Sequence, residues 1–178
     1  VELLVCSSLN RNSGTMVREK TKMEKMLISG VAADKNVAKI RVAGLGNDPE
    51  STFRLLNLLD RNNLNIDVMI QSLGKDGTKS VSFTVAKPDM LRTIDVLNDN
   101  KDLLGIKKLD YDENVAKVSV IGAGVRSHSG VAAKMFGALA NAGINTEMIT
   151  TSEIRITALI DEAYADQAMR AIHETFLE

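Results

Sequence analysis

Asp67 and Gln71 are the residues of this chain whose types and spacing could most directly hold a small molecule. They lie four apart in the stretch 66–72, which reads as a strand, so both side chains point to one face, opposite Ile66, Val68 and Ile70. An ionised carboxylate accepts from an ammonium, and a side-chain amide can meet a hydroxyl or amide group. The plain alternative for the pair is a solvated strand face. Two loops strengthen the binding case. Asn47-Asp48-Pro49-Glu50 and Arg126-Ser127-His128-Ser129-Gly130 lead into helix starts at Ser51-Thr52 and Val131-Ala132. A helix start offers unpaired N–H groups and the positive end of its dipole, which favour a carboxylate. Backbone N–H groups for a carboxylate and a strand carboxylate for an ammonium together describe a site for an amino acid.

Other chemistries fail on their residues. Gly122-Ala123-Gly124 follows a strand and precedes a helix, but Ser127 stands where a dinucleotide fingerprint needs its third glycine, and a similar Gly44-Leu45-Gly46 occurs earlier. Gly77-Thr78-Lys79-Ser80 has no glycine next to its lysine and falls in a hairpin. His128 and His173 are far apart, with no metal-binding helix pair, and His173 reads as a structural or surface residue. Cys6 is the only cysteine, which excludes an internal disulfide and a cysteine-based metal cluster. The sequence therefore gives no catalytic residue, no metal site and no need for a cofactor. With 22 basic and 23 acidic residues and a net charge of -1, no electrostatic footprint for nucleic acid or an anionic membrane appears. No apolar run approaches ~20 residues and no signal segment opens the chain, so a cytoplasmic protein is expected. Its start at Val1 is expected to be an internal point of something longer.

The elements that must position these residues come in two copies. Residues 37–46 recur as 115–124 at a shift of 78, and 64–69 are echoed by 144–149 at a shift of 80. A repeat of that length is a small domain, and two such modules can pack about a pseudo-twofold axis. The first copy reads as a strand at 39–44, then an amphipathic helix on Phe53, Leu55, Leu56 and Leu59. Strands at 66–72 and 79–86 follow, joined by an Asp76-Gly77 hairpin turn. Pro88 starts a helix with Met90, Leu91, Ile94 and Leu97 on one face, and 106–111 closes with a strand. The second copy reads as a strand at 117–121, a helix at 131–142, strands at 146–151 and 154–160, and a helix on Ala165, Ala168, Met169, Ile172 and Phe176. It lacks a sixth strand, and an open edge beside an apolar layer is a pairing liability. Residues 26–31 are expected to cross over and supply it. The division expected is 1–22 as a preceding segment, 35–111 as the first module, and 23–34 plus 112–178 as the second.

The residues resemble the regulatory region of aspartate kinase, built from two ACT domains, over nearly the whole chain. The stretches that carry the resemblance are 65–71, 117–124 with Ser127-His128, and 151–156. Residues 1–20, with Ser7-Ser8 and Gly14-Thr15, are similar to the end of the kinase domain. The resemblance implies an α+β fold of two ferredoxin-like βαββαβ ACT domains, the first inserted into the second, whose last strand comes from the N-terminal segment. It implies part of a phosphotransferase with a carboxyl acceptor, the phosphotransfer residues lying outside this chain. The implied role is feedback control of aspartate phosphorylation, in lysine, threonine and methionine biosynthesis, by threonine, lysine or both. The implied partners are a second copy, through the ACT domains, and an aspartate kinase catalytic domain or alpha subunit. Carried over by position, the effector-binding residues are Asn47, Glu50, Thr52, Asn65, Ile66, Asp67 and Gln71, with counterparts Val131, Ala132, Asn145, Thr146, Ser152 and Glu153. The family often has Pro-Gly where this chain has Pro49-Glu50. A stand-alone ACT-type sensor or a structural dimerisation module is the alternative.

Overall fold

Two unusually long strands organise the molecule. The computed structural model describes residues 3–5, 15–17, 28–127 and 130–177. Strands β1 (Leu3–Val5) and β2 (Thr15–Val17) form a separate antiparallel ribbon. The rest runs β3 (Gly30–Leu45), α1 (Pro49–Arg61), β4 (Met69–Leu73), β5 (Lys79–Ala86), α2 (Met90–Asp99) and α3 (Lys101–Leu104). Then come β6 (Lys108–Ile121), α4 (Gly124–Ser127), α5 (Val131–Asn141), β7 (Met148–Thr151), β8 (Arg155–Asp161) and α6 (Ala165–Leu177). Six strands make one antiparallel sheet in the order β4-β5-β3-β6-β8-β7.

The segments expected as separate strands at 26–31 and 39–44 are one strand, β3, and those at 106–111 and 117–121 are one strand, β6. No proline or glycine interrupts either join, so the chain stays extended and only the pairing slips, with bulges between Asp34 and Lys39. At each slip an aspartate satisfies the loosened backbone: Asp34 accepts from the Asn36 N–H and Asp112 from the Asn114 N–H, both at 2.9 Å. The first part of β3 pairs Gly30 to Asp34 with Ile121 to Lys117, and the Ser29 N–H donates to the Ile121 carbonyl at 2.7 Å. Thus the N-terminal segment completes the second βαββαβ unit, and the first unit is inserted within it. The crossing strand begins at Gly30, later than expected, and residues 26–27 lie outside the described residues.

The pairing obeys the repeat. Val37 pairs with Val115, its own counterpart at the shift of 78, and so marks the pseudo-twofold axis; Asp34 with Lys117 and Lys39 with Asp112 are then symmetry mates. Each half of the sheet carries its helices on one face. Ile40, Val42, Val81 and Phe83 pack on Leu55, Leu59 and Leu97 in the first half. Val118, Val120, Ile156 and Ile160 pack on Met135, Leu139 and Ile172 in the second. The two remaining faces meet each other through Val37, Val115, Met148 and Leu159, with Val68 and Ile70 against them. The sheet therefore folds back on itself at the bulges, leaving clefts between its halves.

Two helix faces differ from expectation. In α1 the buried residues are Ser51, Leu55 and Leu59, an i, i+4 line, while Phe53 is 65% exposed and Leu56 also reaches solvent. In α2 they are Met90, Thr93 and Leu97, and Leu91 is exposed. The Asp76-Gly77 turn forms as expected: Gly77 has φ +75 and the Asp76 carboxylate takes the Thr78 N–H at 3.1 Å.

Candidate functional site

The thirteen expected site residues fall into five places. At the start of α1, Asn47 and Glu50 are exposed, Glu50 pairs with Arg54 at 2.5 Å, and the Thr52 hydroxyl donates to the Gln71 amide oxygen at 2.6 Å. Asn65, Ile66 and Asp67 lie before the start of β4, in the segment that enters it from α1. The expected sharing of one face by Asp67 and Gln71 does not hold. The strand begins only at Met69, Gln71 pairs with the core residue Val81 on the helix side, and Asp67 turns to the opposite side, toward Lys117. In the second half, Val131 is buried and Ala132 partly so in the start of α5, and Asn145 and Thr146 line a shallow cleft of about 350 Å³ with Phe136 and Ile144. Ser152 and Glu153 are exposed in the turn after β7, where the Ser152 N–H donates to the Arg155 carbonyl at 2.7 Å.

The two helix starts differ. Asp48 caps α1: its Oδ1 accepts from the N–H groups of Glu50 at 3.0 Å and Ser51 at 2.9 Å, so a carboxylate of the protein already fills that position. Hydrogen bonding, first from the Ser51 hydroxyl, holds the Asp48 carboxyl below its ordinary pKa despite its exposure. Helix α5 starts instead behind Gly130, at φ +103, with no side-chain cap among the described residues. Residues 128–129 of this loop lie outside the described residues.

Where the halves face each other, a cleft of about 400 Å³ is lined by Asp34, Asp67, Lys117, Ser119, Thr157 and Arg155, among others, with Ser152 at its side. A smaller one of about 320 Å³ includes Asn65, Ile66 and Asp67, again with Asp34 and Lys117. The ion pairs here cross between the halves. Lys117 Nζ bonds Asp67 of the first half, and its counterpart Lys39 bonds Glu147, the counterpart of Asp67, in the second. Lys117 also reaches Asp34 at 3.1 Å. Burial works against charge on Lys117, but the hydrogen bonds to Asp67 and Asp34 outweigh it and raise its pKa. Burial likewise opposes charge on Asp34, and the Asn36 N–H and Lys117 together bring its pKa down. Beside them the buried hydroxyls of Ser119 and Thr157 share a hydrogen bond of 2.8 Å. Lys87 and Glu162, at matching positions after β5 and β8, pair at 2.6 Å across the axis. Lys117, Asp34 and Arg155 were not singled out from the sequence, although the recurrence of a lysine at 39 and 117 was there to be read. Among the described residues no group of histidine, cysteine or acidic side chains could hold a metal ion, and no helix is long and apolar enough to cross a membrane.

A family model of the ACT domain matches residues 118–176. A crystal structure of aspartokinase alpha and beta subunits is similar, with 42% identity and a TM-score of 0.78, covering 84% of this chain and 98% of that one. So is the ligand-free regulatory subunit of aspartate kinase from Thermus thermophilus, at 33% identity and a TM-score of 0.79, covering 84% and 99%. The chain belongs to the aspartokinase regulatory family. The aspartokinase of Pseudomonas aeruginosa is 37% identical over an alignment of 179 positions that covers 99% of this chain and 43% of that protein, so the chain spans less than half the length of the curated aspartokinases it matches. In this aspartokinase regulatory chain the two halves of the folded sheet are its ACT domains, and the crossed lysine–carboxylate pairs tie one to the other.

Proposed function

We propose that this chain senses threonine, lysine or both at interfaces between ACT domains of two copies, and passes the occupancy to an aspartate kinase catalytic domain or alpha subunit as feedback inhibition. The observation that carries this reading is the pair of outer sheet edges, which have no further strand beside them among the described residues. Strands β4 and β7 are the outermost of the six, and each ends beside the expected ligand residues, Gln71 and Thr52 on one, Ser152 and Glu153 on the other. Exposed apolar side chains accompany both edges, Phe53 and Leu73 in the first half and Ile149 and Ile154 in the second. An edge with apolar neighbours favours covering by another strand, and a second copy would bring the edge and helix start of one half to those of the other. Thr52 and Gln71 of one copy would then be drawn together with Ser152 and Glu153 of the other. The boundaries 35–111 and 23–34 plus 112–178 are the domains we propose for this assembly, with 1–22 leading in from the kinase.

Regulation follows as a population shift. An effector that binds the inhibited arrangement a hundredfold better contributes about 2.7 kcal/mol per site, and two sites per dimer about 5 kcal/mol, enough to move most of the population. The test is calorimetric titration of the chain with L-threonine and with L-lysine, each followed by the other, alongside its mass by light scattering. Saturable binding to a dimer is expected. No heat with either from a folded dimer would reject the sensor and leave a structural dimerisation module.

A further inference from the structure

Asp67, the carboxylate expected to receive a ligand's ammonium, already holds one. Lys117 Nζ bonds its Oδ2 and at the same time lies 3.1 Å from Asp34 Oδ2. The lysine is the enclosed member of the trio, its side chain 17% exposed, whereas 56% of the Asp67 side chain is exposed and it faces both clefts. We propose that Lys117 is a resident competitor for the ligand site: an entering primary ammonium takes Asp67, and Lys117 withdraws to Asp34. The proposal rests on the amino-acid-sensing reading and names the residue that couples binding to the arrangement of the two halves.

Three features of the geometry support it. First, Asp34 and Lys117 are register partners on adjacent strands of the same half, so their contact does not depend on where the other half sits. Asp67 arrives from the other half, on the segment entering β4. Exchange at Asp67 therefore removes a tie between the halves while leaving no charge unpaired, which is what makes the exchange inexpensive. Second, the symmetry mate lacks this fallback: among the described residues Lys39 has its single ion pair with Glu147. One crossed pair can open and the other holds the halves together. Third, the contact to be replaced is a charge-assisted N–H···O bond, which selects ligands carrying N–H donors over quaternary cations. In the same cleft Arg155 has no acidic partner among the described residues, and the Ser119–Thr157 hydroxyls stand between, so a carboxylate and a polar side chain of the same ligand also find groups to meet.

The test uses the full chain and three variants checked for fold by circular dichroism: Lys117→Gln, Asp34→Asn, and Lys117→Gln combined with Asp67→Asn. Probes are L-threonine, L-lysine and methylammonium chloride, the last against sodium chloride at equal ionic strength, followed by calorimetry and amide NMR. Removing the competitor is expected to tighten binding of an amino-acid probe about tenfold, and removing the fallback to weaken it several-fold, because Lys117 then has only Asp67. The double variant should lose the gain. Unchanged or weaker binding by a folded Lys117→Gln protein overturns the proposal. Should the unaltered chain bind neither amino acid, the sensing reading falls by itself. Methylammonium then decides the competitor claim: selective capture at Asp67 by the Lys117→Gln protein sustains it, and the absence of capture ends it.

Discussion

Lys117 illustrates how one enclosed charge can be held by several exposed ones. Replacing it by methionine removes an ammonium that satisfies two carboxylates and leaves Asp34 and Asp67 facing each other across the cleft. The expected loss is about 1–2 kcal/mol, between the worth of an exposed pair and that of a buried one. Its pH dependence follows from the two shifts. Asp34 has a lowered pKa when folded, so its contribution is present above the unfolded value of about 3.9 and is lost as pH falls through the folded one. Lys117 has a raised pKa, so its contribution is complete below about 10.4 and is lost as pH rises through the folded value. The stability difference between the native chain and Lys117→Met should be level from about pH 5 to 9 and shrink at both ends in urea titrations. A difference that keeps growing toward acid would contradict the assignment. None of this was legible from single residues, because Lys117 and Asp67 are 50 positions apart and meet only when the sheet folds back.

At the scale of elements, the order of strands and helices was legible because alternation, helical spacing and the Asp76-Gly77 turn are local signals. Two things were not. The lengths of β3 and β6 depend on pairing between distant segments, since nothing local distinguishes one bulged strand from two short ones. The helix faces depend on which side the sheet covers. Phe53 and Leu56 fit the apolar pattern of α1 as well as Leu55 and Leu59 do, but the line through Ser51 is the one buried. Likewise the shared face of Asp67 and Gln71 failed because the strand starts three residues late, leaving Asp67 outside its alternation. One local feature does have a firm backbone meaning. Gly44 sits at the β3 bulge opposite β5 with φ +90, and a Cβ there would lie 2.5 Å from Cβ and Cγ of Lys107. Both the dihedral and the contact disfavour a side chain, so Gly44→Ala should cost about 2 kcal/mol or more in the urea midpoint. Gly77→Ala, with a similar φ but open space around it, should cost less.

Among the described residues, three apolar clusters hang on two long strands. The first-half core and the second-half core each lie under their own helices, and β3 and β6 run through both, with Val37 and Val115 pinning the crossing. Unfolding either half would free a part of each strand on which the other half's edge pairing depends. In the first half Phe83 is fully buried, and Phe83→Ala should cost about 3–5 kcal/mol; in the second, Met135→Ala should cost about 2–5 kcal/mol. If the halves were independent, each substitution would lower the stability of its own half and split the transition in two. Shared strands predict instead that either substitution shifts one common transition, with far-UV dichroism and hydrogen exchange of amides from both halves moving together, at a fixed protein concentration because association also adds stability. The two replacements lie in separate clusters without shared partners, so their costs should add. A Phe83→Ala chain in which the amides of β8 keep their native protection while those of β5 lose theirs would show that the halves unfold apart, and the long strands would then be connectors and not a common scaffold.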